Sequence, residues 1–303
     1  MKNKTVIVIQ GPTAAGKTAL AVGIAQHYQT SIISADSRQC FRELNIGVAK
    51  PSEEQLRLTK HFFINSHSIT EDINAAAFEQ YAIAAAEKIF AQTDVAVMAG
   101  GTGLYIRAFC DGIDYIPPID SQLRESILKS YQELGLEWLQ DTIRKEDPAF
   151  YEHGEIQNPV RILRALEVIR STGLSIRHYQ QSTKADRPFN IIKFGISPSR
   201  TVLYEQINNR VDEMRLAGLT EEVRSLLPFK HLNPLNTVGY SELFGFFEQQ
   251  CSEVEAYEFI KRNTRHYAKR QLTWFSKDQS IRWLDSPDAQ FIIDTTESTR
   301  RIT

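Results

Sequence analysis

The sequence predicts an α/β fold, a parallel sheet flanked by helices with an inserted all-helical subdomain, and three observations predict it. First, Val6, Ile7, Val8 and Ile9 form an unbroken β-branched run with no polar alternation, the pattern of a strand buried on both faces of a parallel sheet. Second, comparable runs return at Ser31–Ser34 (SIIS) and Asp94–Met98 (DVAVM), with helical stretches between them, and that alternation is the mark of α/β architecture. Third, the strand signal disappears after Pro117-Pro118 and resumes only at Asn190–Ser197 (NIIKFGIS).

Taken in order, the first strand runs into a glycine turn and a helix, then the second strand. The Ala-rich segment Ala75–Phe90 has helical character and leads to the third strand. From Tyr115 the Pro-Pro break introduces helix-period segments up to about Thr183, read as a helical insertion over 117–188. The chain then returns to its first sheet, so the core is discontinuous, 1–116 plus 189–303. Helices dominate from Ser199 to about Lys277, and the polar tail TTESTRRIT is expected to fray. There are no internal repeats and no low-complexity tracts.

Composition narrows the function classes. The 303 residues are 42% hydrophobic and 24% charged, as in ordinary globular proteins that bury a core unaided. Cys40, Cys110 and Cys251 form no Cys-x-x-Cys pair, which argues against a disulfide framework or zinc ribbon and for a reducing cytoplasm. The apolar run near the N-terminus is too short for a signal or membrane helix, so no membrane association is expected. A net charge of −2 requires any nucleic-acid partner to be met by a local basic patch.

Directly after the first strand stands Gly11-Pro12-Thr13-Ala14-Ala15-Gly16-Lys17-Thr18. It satisfies G-x-x-x-x-G-K-[ST] in the strand–loop–helix setting of a P-loop NTPase-like core. Such a loop turns successive N–H groups toward phosphate oxygens at a helix N-terminus, with a Lys as point charge and a Thr hydroxyl for Mg²⁺. What the loop holds stays open, because it recognises phosphate and not the group beyond it. Nucleotide-hydrolysing relatives usually place an acid at a neighbouring strand end, whereas Asp94–Met98 runs into Ala99-Gly100-Gly101-Thr102-Gly103. The strand-end carboxylate here is Asp36, in Ser34-Ala-Asp-Ser-Arg-Gln39, over the same crevice as the loop unless it serves as a helix cap.

These blocks resemble the tRNA dimethylallyltransferases, also called tRNA isopentenyltransferases. The resemblance covers nearly the whole chain: GPTAAGKTAL (11–20), ADSRQCFRELNIGVAKP (35–51), AGGTGLYIRA (99–108), NPVRILRALEV (158–168), VGYSEL (238–243) and RHYAKRQLTWF (265–275). The absence of a Cys/His tail is similar to the bacterial members. The resemblance implies transfer of a dimethylallyl group from dimethylallyl diphosphate to N6 of adenosine 37 beside the anticodon, with Mg²⁺ as cofactor, the tRNA anticodon stem-loop as partner, and a cytoplasmic monomer.

It also implies roles for residues. Lys17, the loop N–H groups and a Thr18-held Mg²⁺ would neutralise the departing diphosphate, with Arg210 (in INNRVDEMRLAGL) as a further clamp. Asp36 would accept the N6 proton, for which an ordinary carboxylate of pKa ~3.9 suffices. Ser37, Arg38 and Gln39 beside it, with Thr102 and Arg124, resemble positions that touch tRNA.

From Lys261 to Lys277 the chain carries six Lys or Arg and no acid. Lys261, Arg265 and Lys269 recur every four residues as one helical stripe, and Arg262, His266 and Arg270 as a second. Tyr267, Trp274 and Phe275 read as core anchors on the apolar side with Ile260 and Leu272. Arg161 and Arg164, opposite Ile162, Leu166 and Ile169, form another basic face. A small-molecule kinase using the same loop for ATP is the rival class, and a non-enzymatic RNA-binding module is a distant third.

Overall fold

The computed structural model describes residues 4–180 and 184–302. Its elements in chain order are β1 (Thr5–Gln10), α1 (Lys17–His27), β2 (Ile32–Ala35), α2 (Glu53–Leu58), β3 (His61–Phe62), α3 (Ala75–Phe90), β4 (Val95–Gly100) and α4 (Gly103–Asp111). Then come α5 (Ser121–Glu146), α6 (Pro148–His153), α7 (Pro159–Thr172), α8 (Ile176–Tyr179), β5 (Asn190–Ile196), α9 (Arg200–Leu216), α10 (Leu219–Ser225), α11 (Tyr240–Phe247), α12 (Glu253–Phe275), β6 (Arg282–Leu284) and α13 (Ala289–Ile302).

The six strands form one parallel sheet in the order β3-β2-β4-β1-β5-β6. β1 lies between β4 and β5, with Thr5 opposite Val95 on one side and Asn190 on the other. Its even and odd residues enter different cores, which is why the run shows no alternation. Val6 and Val8 pack with Phe78, Phe109 and Tyr240, whereas Ile7 and Ile9 pack with Leu20, Ile24 and Ile292. Lys193 interrupts the apolar sequence of β5, and its Nζ is matched by Asp278 at 2.8 Å.

The four strands and the helix Ala75–Phe90 read from sequence are present within a residue or two, and two short edge strands, β3 and β6, were not foreseen. Both are brief, and β6 presents Arg282 and Trp283 to solvent, so neither carries a buried-strand pattern. The tail expected to fray is helical through Ile302, because α13 inserts Ile292, Ile293 and Thr296 into the core. The chain separates into two compact units, Met1–Asp111 with Asp186–Thr303, and Gly112–Ala185. The second is all helical about its own core of Ile127, Leu139, Ile143, Ile162 and Leu166. The end of helical character placed at Thr183 lies outside the described residues.

Candidate active site at the carboxyl ends of the strands

The glycine loop joins β1 to α1 at the carboxyl edge of the sheet. Gly11 adopts φ 145°, and a Cβ there would lie 2.5 Å from the Ile196 carbonyl oxygen, so only glycine lets the loop leave between β1 and β5. Ala14, with φ 68°, is left-handed without being glycine, a conformation that costs about 1 kcal/mol or more and persists only where surroundings enforce it. Gly16, also left-handed, precedes the first turn of α1 and leaves that turn without a side-chain cap. Free N–H groups at such a terminus favour an anion.

Lys17 Nζ donates to the Pro12 carbonyl at 2.5 Å, curling back over the loop. Burial pushes its ammonium down to about 7; Arg210 acts in the same direction and Asp36 opposes both. Arg210 projects from α9, and its Nη1 donates to Thr13 Oγ1 at 3.4 Å. The side chain thus reaches the phosphate loop instead of lying as a charge on the helix surface.

Thr13 through Thr18, Asp36, Gln39 and Arg210 line one cavity of about 890 Å³. Asp36 follows β2, and its Oδ1 accepts from the N–H groups of Arg38 at 2.9 Å and Gln39 at 3.3 Å. One oxygen thus closes a turn and does not cap a helix, since the next helix begins only at Glu53, and Oδ2 accepts no hydrogen bond among the described residues. Thr102 braces the same turn: Ser37 N–H donates to its Oγ1 at 3.0 Å, and its own N–H donates to the Ala35 carbonyl at 3.1 Å. The Gln39 amide is engaged internally, donating to the Val48 and Ala49 carbonyls.

Tyr267 corrects the sequence reading. Instead of anchoring the core, it lines the cavity. Burial, followed by the nearby Asp36 carboxylate, pushes its phenol up to about 12. Trp274 is 37% exposed, and of the three aromatics only Phe275 is buried.

Two further residues escaped sequence reading because their partners are distant in the chain. Gln271, buried, accepts the Thr13 N–H on Oε1 and donates from Nε2 to the Gly101 carbonyl, both at 2.8 Å. A Cβ on Gly101 would lie 2.2 Å from that nitrogen, so the glycine after β4 makes room for the amide. Glu222 accepts the N–H groups of Asn45, Ile46 and Gly47 at 2.7–3.2 Å and the Tyr240 hydroxyl at 2.6 Å. It thereby holds the cavity wall that follows the Asp36 turn.

The basic stripe on α12 is less free than its sequence suggested. Lys261 pairs with Asp212 at 2.8 Å and Glu258 at 3.1 Å, acids from outside the segment Lys261–Lys277. Arg265 donates to Asn208 Oδ1 at 2.7 Å and lies over the Tyr204 ring. Lys269, Arg262, His266 and Arg270 are exposed. Within the helical unit, Arg124 and Arg164 pair with the two oxygens of Glu167, and Arg161 pairs with Glu155. All three arginines keep at least a third of their side chains exposed.

A glycine loop of this kind at the carboxyl ends of a parallel sheet places the chain in the P-loop-like α/β class of folds. The family pattern described as IPP transferase matches residues 39–278. The tRNA dimethylallyltransferase of Cytophaga hutchinsonii is 43% identical over 281 residues, 93% of this chain and 92% of that one. That of Christiangramia forsetii is 43% identical over 299 residues, 98% of this chain and 99% of its own. The crystal structure of the tRNA isopentenylpyrophosphate transferase from Bacillus halodurans superposes with a TM-score of 0.70 at 31% identity, covering 98% of this chain and 96% of that one. The chain belongs to the IPP transferase family.

Proposed function

We propose that this protein transfers a dimethylallyl group from dimethylallyl diphosphate to N6 of adenosine 37 in tRNA. The observation that carries the proposal is the single cavity in which Lys17 and Arg210, at the phosphate loop, face the same space as Asp36. In an allylic diphosphate the carbon–oxygen bond breaks as negative charge gathers on the diphosphate. Cationic groups and loop N–H donors held in a partly desolvated site stabilise that charge far better than water does. The N6–carbon bond forms as the amine loses a proton, which Asp36 accepts through its free oxygen.

Thr18 fits a role in holding Mg²⁺. Its residue opens α1 beside the loop, and no cluster of three or more His, Cys, Asp or Glu is placed for a metal among the described residues. A Mg²⁺ ion here would therefore draw its oxygens from one hydroxyl, the diphosphate and water, a donor set usual for that ion. When bound it supplies neutralising charge to the leaving group.

For the tRNA we assign Ser37, Arg38 and Thr102, at the mouth of the Asp36 turn, together with Arg265 and Lys269 and with Arg124, Arg161 and Arg164. Arg161 pairs with the exposed Glu155, an ion pair worth about 0–1 kcal/mol that a phosphate can replace, whereas Arg124 and Arg164 share the buried Glu167, so one can turn to a phosphate while the other keeps that carboxylate paired. Gln39, on the Asp36 turn, we assign to the tRNA as well, with its amide nitrogen also holding the Val48 and Ala49 carbonyls. Among the described residues no helix is long and apolar enough to cross a membrane; the cytoplasmic location is assigned from the tRNA substrate proposed above.

The test is to incubate the protein with unmodified tRNA, Mg²⁺ and either labelled dimethylallyl diphosphate or γ-labelled ATP. Label in the RNA from the first alone is the expected result. Label transferred from ATP would favour the kinase reading, against which the glycine ending of β4 already counts.

A further inference from the structure

We propose that Gln271 is a positioning residue of the donor site, setting the phosphate loop in its anion-binding shape by bridging that loop to the end of β4. The inference deepens the proposed function and rests on it for the identity of the donor.

A primary amide is the only uncharged side chain that offers an acceptor and a pair of donors on one rigid plane. The bridge uses both ends. Oε1 takes the Thr13 N–H and Nε2 gives to the Gly101 carbonyl, each at 2.8 Å. The amide orientation follows from its partners, because a backbone N–H must meet the oxygen and a carbonyl must meet the nitrogen. Both partners sit where the loops turn sharply. Thr13 immediately precedes Ala14, whose φ of 68° is strained for a residue with a Cβ. Holding the Thr13 amide on Gln271, a side chain of the cavity wall, leaves the N–H groups of the following residues to meet an anion and helps to enforce that turn. Thr13 also presents its hydroxyl to Arg210, so the placement of that guanidinium depends on the same contact. The absence of a side chain at Gly101 is what lets the amide approach.

Gln271→Met keeps the length and volume and removes both hydrogen bonds. Gln271→Asn keeps both groups but is too short to span the two loops. The probe is inorganic diphosphate, titrated by calorimetry, with unmodified tRNA binding measured alongside and cooperative thermal unfolding checked for each variant. The loss of one buried hydrogen bond's worth of loop order corresponds to diphosphate affinity roughly tenfold weaker in both variants. The tRNA affinity is expected to stay within about twofold, because the bridge faces the phosphate loop and not the RNA. Wild-type diphosphate affinity in either folded variant would overturn the proposal and leave Gln271 as a satisfied core polar residue. Diphosphate binding requires no prenyl transfer, so a wild-type protein that binds diphosphate but fails to modify tRNA would count against the proposed function and leave this inference standing.

Discussion

Asp36 divides its carboxylate between two tasks: one oxygen organises the turn and the other faces the cavity. Asp36→Asn keeps an oxygen for the turn but is a far weaker base. The chemical step is expected to slow by roughly 10² to 10⁴ with tRNA binding little changed, read by single-turnover kinetics at saturating substrates. Lys17 predicts a pH dependence of a definite sign. Its ammonium is held at about 7 in the free protein by burial and by Arg210, and a bound diphosphate raises it. Affinity for inorganic diphosphate is therefore fullest below pH 7 and declines as pH rises through that value, by up to tenfold per unit. Binding at pH 8 should take up close to one proton. Calorimetry in buffers of different ionisation enthalpy measures that uptake, with Lys17→Met as the reference for the ligand's own titration. Lys17→Met should abolish the protein's share of the proton uptake and cut transfer severely while sparing tRNA affinity. These two residues were legible because the local motif specifies them. Gln271, Glu222 and Tyr267 were not, because each acts through partners far away in sequence, such as Thr13 across 258 residues and Gly47 across 175.

At the scale of elements, α12 shows why a basic stripe in a sequence overstates free charge. Helical spacing placed Lys261, Arg265 and Lys269 on one face, but α9 packs beside that face and contributes Asp212 and Asn208. The three positions should consequently differ. Lys269→Ala is expected to weaken all tRNAs about equally and to flatten the slope of log K against log salt by roughly 0.7 to 0.9, the value of one phosphate contact. Arg265→Ala should give a smaller change in the same sense, and Lys261→Ala almost none. A salt titration of tRNA binding for the three variants measures this ordering, and equal slopes in all three would contradict it. The buried strands were legible because burial on both faces leaves an unmistakable apolar run. β3 and β6 were not, since two or three residues at a sheet edge carry no period to detect.

For the whole molecule, the point where the chain leaves the core and the point where it returns are stitched together. Arg187 donates from Nε and Nη2 to the carbonyls of Phe109 and Ala108 at 2.8 and 2.9 Å, and pairs with Glu79. The exit at the end of α4 and the re-entry at Asp186 thus lie within a side chain's reach. Replacing residues 112–185 by a short Gly/Ser linker should therefore leave a cooperatively folding core, because closing a short loop costs little. Inorganic diphosphate is expected to bind this core within about threefold of wild type, while tRNA affinity falls with the loss of Arg124, Arg161 and Arg164. Circular dichroism melts and the two binding titrations test both halves of that expectation.

The central position of β1 has a consequence for how the protein is made. β1 leaves the ribosome first, and the strand that covers one of its edges, β5, begins at Asn190. At bacterial synthesis rates the 179 residues between the two strands take on the order of 10 to 40 s to emerge. For that interval a strongly apolar strand has an unpaired edge while the helical unit, with its own core, can fold ahead of the sheet that surrounds it in sequence. Nascent chains stalled before Asn190 should accordingly protect the helical segment from proteolysis earlier than β1. The edge left open in the meantime is the kind of surface that pairs with other strands, so the newborn chain is at its most aggregation-prone just before its fourth long strand appears.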